Sequence, residues 1–88
     1  MDNSELSAVA WDLVDHCRGA LSGDDLTAAY VRLGVGEYSE AIEIALRSAL
    51  PPNGAPLPMQ WHERLARLQQ MYYLDKPVLD LIAALSNS

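Results

Sequence analysis

The sequence predicts an all-α fold, a compact irregular bundle of about five short helices. Three observations carry that expectation. Apolar residues recur at helical spacing in five stretches, and no stretch alternates in the manner of a strand. A proline-rich loop over residues 51–58 then separates three helices from two. At 88 residues, half of them apolar, the chain can build one core and not two, so it reads as a single helical domain over 1–88.

The first helix is expected over residues 4–20, where Leu6, Val9, Ala10, Leu13, Val14 and Cys17 form one stripe. Asp2 or Ser4 can cap its start, and Gly19 marks its exit. Ser22 followed by Asp25 gives the second helix its start signal, with Asp24 and Asp25 at the positive end of the dipole. Leu26, Ala29, Tyr30 and Leu33 make its apolar face. Gly34 is the expected left-handed terminator. In the third helix Tyr38, Ala41, Ile42, Ala45, Leu46, Ala49 and Leu50 keep helical spacing, while Glu40, Glu43 and Arg47 cover the other side. Its alanines admit a close neighbour, so it should be central.

Pro52-Asn53-Gly54 suits a turn within the crossover loop. A fourth helix follows over 58–73, with Trp61, Leu65, Leu68 and Tyr72 on one face. Asp75 caps the fifth, and Pro77 sits in its first turn. Val78, Leu79, Leu81, Ile82, Ala83 and Ala84 make this last helix apolar nearly all round. It is expected either at the centre, beside the third helix, or under a second chain.

The net charge of −6 lies entirely in residues 1–50, which hold nine acids against three arginines, whereas residues 51–88 are balanced. Such a surface repels phosphate backbones and suits a basic protein partner. One cysteine, Cys17, rules out an internal disulfide framework. No basic and apolar leader follows Met1, and the oily stretch over 78–85 is too short for a membrane span. The expectation is therefore a cytoplasmic protein with no membrane partner.

Chemistry-bearing motifs are sparse. Arg32-Leu33-Gly34-Val35 resembles the turn of helix-turn-helix DNA-binding proteins, which would imply a transcriptional regulator. Tyr30 and Glu40, however, stand where that family keeps a small residue and a buried aliphatic one. Glu37, Glu40 and Glu43 would also meet phosphates with the wrong sign. The segment over 36–43 resembles the opening of a second tetratricopeptide helix, but no second copy follows. His62-Glu63 begins a zinc-protease motif that Ala66 breaks. Asp12 and His16 are spaced to pair on one helix face, beside a Cys17 that belongs to the apolar stripe. Nothing points to a catalytic residue, a metal or a cofactor.

The aromatic residues are more informative. Trp11 falls off the apolar stripe, beside Val14, and Tyr72 and Tyr73 are adjacent, so they cannot both face inward. The expected function is a non-catalytic protein–protein interaction module, a homodimer being one form of it. Its interface would draw on Trp11, Val14, Tyr72, Tyr73, Leu79 and Ala83. The alternative is an acidic inhibitor or immunity-type protein that presents Glu37, Glu40 and Glu43 to a basic enzyme or toxin.

Overall fold

The computed structural model describes residues 4–49, 57–72 and 74–86. They form five helices and, among the described residues, no strand: α1 (Ser4–His16), α2 (Gly23–Gly34), α3 (Tyr38–Ala49), α4 (Met59–Met71) and α5 (Lys76–Ser86). All five contribute to one contiguous core, led by Val9, Leu13 and Val14 of α1, Ile42 and Leu46 of α3, and Leu65 and Leu68 of α4. The Pro52-Asn53-Gly54 turn, Leu50 and Tyr73 lie outside the described residues, as does Asp2.

The first helix ends earlier than its stripe suggests. Its last α-type bond runs from the Cys17 N–H to the Leu13 carbonyl at 2.9 Å. The chain then tightens, with Arg18 N–H on Asp15 O at 3.3 Å and Ala20 N–H on Cys17 O at 2.9 Å. This tightening turns Leu21 into the core while leaving Cys17 buried. Ser22 then caps α2, its hydroxyl accepting from the Asp25 N–H at 3.1 Å.

The exit from α2 corrects the expectation for Gly34, which is the last helical residue. The left-handed position is Gly36, at φ +84°. The Gly36 N–H bonds Leu33 O at 3.2 Å and the Glu37 N–H bonds Arg32 O at 2.8 Å, the paired closure of a Schellman motif. Glu37 already accepts from the Ala41 N–H at 3.2 Å, so only Val35, Gly36 and Glu37 separate the two helices.

Pro58 precedes α4 in an extended conformation, and Tyr72 leaves the helix at φ −130°, so α4 is shorter at both ends than the 58–73 reading. Asp75 stands immediately before α5, its carbonyl accepting from Val78 at 3.0 Å and Leu79 at 3.1 Å. Helix α5 is not central. It packs against α3 and α4 only and buries Val78 and Ile82, while Leu79, Ala83 and Ala84 face solvent. The centre belongs to α1 and α3, each of which packs against three other helices. The sequence pattern overstated α5 because alanines count as apolar but lose little when exposed.

The turn assignment is testable by thermal or denaturant unfolding. Gly36→Ala forces a side chain into the left-handed region and should destabilise by ~1–2 kcal/mol. Gly34→Ala adds a methyl to open helix surface and should be neutral or stabilising by up to ~1 kcal/mol.

Candidate functional site

Three groupings of side chains stand out on this scaffold. The first is the face shared by α1 and α2. Apolar positions of α1 point into the core, so Trp11, some 140° around the helix from Leu6 at ~100° per residue, lies on the flank toward α2. There its ring meets Tyr30, with centroids 6.2 Å apart and planes tilted by 39°. Val31 and Val35 continue from Tyr30 along the outer side of α2, both exposed. The result is an aromatic pair flanked by valines on the protein surface.

The second grouping is the seam between α1 and α4. Trp61 is buried, with the His16 ring 5.5 Å away and the Arg64 guanidinium 4.6 Å from its ring centroid. Arg64 is held in turn by Asp12 at 3.1 Å. The expected Asp12–His16 pair is therefore replaced by a contact between helices. The Trp61 N–H is buried without a hydrogen-bond partner among the described residues, so the indole is fixed through its faces and not its edge.

The third lies at the α2–α3 turn. Arg32 reaches Glu37 at 3.0 Å and Glu40 at 3.3 Å, while Glu43 pairs with Arg47 at 3.1 Å. The hydrogen bond between the Glu37 and Glu40 carboxyls holds Glu37 below the ordinary carboxylate range and pushes Glu40 above it. An open groove of about 610 Å³ runs from here to the start of α5, lined by Arg32, Glu40, Glu43, Ile44, Asp75 and Lys76. Both signs of charge line it.

The chain matches no family model, no curated protein and no solved structure.

The residues expected to share one interface are not one surface. Trp11 is exposed, but Val14 is fully buried and cannot belong to a docking face, because it lies on the core side of the flank that Trp11 occupies. Tyr72 is half-buried against the core. Leu79 and Ala83 are exposed on α5, which does not pack against α1. Tyr73 lies outside the described residues. Tyr30 was assigned to the apolar face of α2, whereas its position at the edge of the Leu26–Leu33 stripe was the signal that it would complete the Trp11 surface. No local signal could have found Arg64–Asp12, whose partners are 52 residues apart.

Cys17 is buried as its stripe position implied, and His16 is exposed. Burial pushes the Cys17 thiol up, with the Ser48 hydroxyl pulling the other way. Among the described residues, no group of three or more His, Cys, Asp or Glu side chains is arranged to hold a metal ion. Nor is any helix there long and apolar enough to cross a membrane.

Two measurements check this geometry. In a carboxyl-carbon NMR titration Glu37 should titrate below and Glu40 above the ordinary glutamate value, and Arg32→Gln should raise both. In denaturant unfolding, Trp61→Ala should cost ~3–5 kcal/mol as a buried aromatic truncation, against ~1 kcal/mol for Arg64→Ala.

Proposed function

We propose that this protein is a non-catalytic protein–protein interaction module whose docking surface is the Trp11–Tyr30 face of α1 and α2. One observation carries the reading: two aromatic rings in mutual contact on the surface, extended by Val31 and Val35. Isolated apolar side chains on a surface are ordinary, but aromatic residues grouped with aliphatic neighbours are what interface centres are made of. The scaffold beneath is well suited to the task. Val9, Ala10, Leu13 and Ala29 are buried on the opposite sides of the same helices, so the pair is presented on elements anchored in the core.

The chemistry available elsewhere supports no catalytic alternative. A buried thiol kept above its usual range is a poor nucleophile, and the Glu37–Glu40 pair is engaged by Arg32 at the surface. A reduced, buried Cys17 also suits a cytoplasmic module that needs no cofactor. The inhibitor reading gains less from the geometry, since Arg32 and Arg47 already neutralise much of the charge that Glu37, Glu40 and Glu43 would offer a basic partner. The regulator reading gains least. Helix α3 packs against α1, α2 and α5, and its outer strip is Glu40, Glu43 and Arg47.

A photo-cross-linking amino acid placed at position 31 in cells should give a discrete protein adduct, and one at Glu63, on exposed α4 surface, should not. Adduct formation at 31 should fall when Trp11→Ala is added. Absence of any adduct at 31, or equal labelling from both positions, would count decisively against this surface.

A further inference from the structure

Resting on the docking surface just proposed, we infer that its occupant is a second copy of this chain, the two α1–α2 faces packing against each other across a two-fold axis. The argument begins with charge. Residues 1–50 carry the whole excess of −6, so acid would meet acid over most of that half if two copies approached at random. The patch is different. Ala8 and Trp11 on α1, Thr27, Tyr30 and Val31 on α2, and Val35 just beyond its end are uncharged neighbours at helical spacing, with Asp15 and Asp24 at the patch's edges. A basic partner, which the acidic field would otherwise favour, finds no counter-charge in this patch. A second copy meets no like charge within the patch itself.

The rim supports the same occupant. On the flank of the patch, Asp15 follows Trp11 at i+4 and Arg18 lies in the turn just beyond α1, and neither has an ion pair among the described residues. An isologous contact presents the same rim twice, so it offers unpaired charges of both signs to each copy.

Area decides whether such a contact is large enough. Trp11 is 46% exposed, Tyr30 37%, Val31 55% and Val35 64%. At roughly 150–250 Å² per whole residue, these four leave about 400 Å² exposed, most of it apolar. A standard interface covers ~800 Å² per partner, with a little over half of it apolar. The patch supplies about the apolar share of such an interface.

Sedimentation or light scattering of the full chain, from micromolar to millimolar concentration, tests the inference. The expected mass rises from 9.7 kDa to twice that value. Trp11→Ala should raise the dimer dissociation constant by about 30-fold or more, as a hot-spot residue does. Val31→Asp, which places an acid on each side of the two-fold, should abolish the dimer, and Leu79→Asp on α5 should leave it intact. Added salt should leave the dimer unchanged or tighten it, since screening relieves the −6 repulsion, whereas a charge-matched partner would be released. Circular dichroism separates any loss of folding from loss of association, both substituted side chains on the patch being exposed. A single-chain mass at millimolar concentration would overturn the inference. So would a dimer indifferent to both Trp11→Ala and Val31→Asp. A monomeric protein that still cross-links from position 31 to a different chain would sink the second copy and leave the interaction surface standing.

Discussion

Three helices that all pack against one another meet through residues with almost no side chain. Ala10 of α1, Ala29 of α2, and Ala41 and Ala45 of α3 are all fully buried. Small residues at these positions let the helix backbones approach closely, and the larger Leu13, Ile42, Leu46 and Val14 fill the space to either side. Much else follows from this contact. Helix α3 is enclosed by α1, α2 and α5, so its exposed strip shrinks to a few charged residues. Helix α1 is drawn inward along a broad stripe, which displaces Trp11 to the flank and brings it against Tyr30. The surface pair is a by-product of how the core is closed.

Electrostatics in the acidic half is mostly local. Arg32 spans the three-residue connection between α2 and α3, joining the end of one helix to the start of the next through Glu37 and Glu40. The backbone there is already fixed by Gly36 and its paired hydrogen bonds. Side-chain and main-chain constraints thus coincide at one corner, whereas the α1–α4 seam depends on side chains alone, through Asp12, Arg64, Trp61 and His16. Exposed ion pairs contribute little individually. Their role at the corner is to hold an angle more than to add stability.

How much of this was legible in the sequence depends on the range of the interaction. The five helices were readable because their periodicity is local, and the Ser22–Asp25 cap because its two partners are three residues apart. Gly34 looked like the terminator since it follows Leu33 directly, yet a helix can carry a glycine in its last turn when a second glycine, Gly36, is available two residues on. Helix α5 looked central from its apolar count. What decides centrality is the volume of the side chains a helix buries and how many neighbours it meets, and α1 exceeds α5 on both. Val14 and Trp11 are three residues apart and read as one surface along the sequence, but the flank of α1 divides them, one buried and one exposed. The α1–α4 seam was beyond reach, because nothing in a single sequence couples residues 12 and 64.

The chain's two tryptophans occupy opposite surroundings. Trp61 lies in the interior beneath an imidazole and a guanidinium, while Trp11 faces water beside a phenol. Intrinsic fluorescence is therefore a composite of two emitters with separable environments. The short-wavelength component follows the integrity of the α1–α4 seam, and the long-wavelength component follows whatever covers α1 and α2. Unmodified protein carries its own optical probes of folding and of association, and a single emission spectrum can report on both at once.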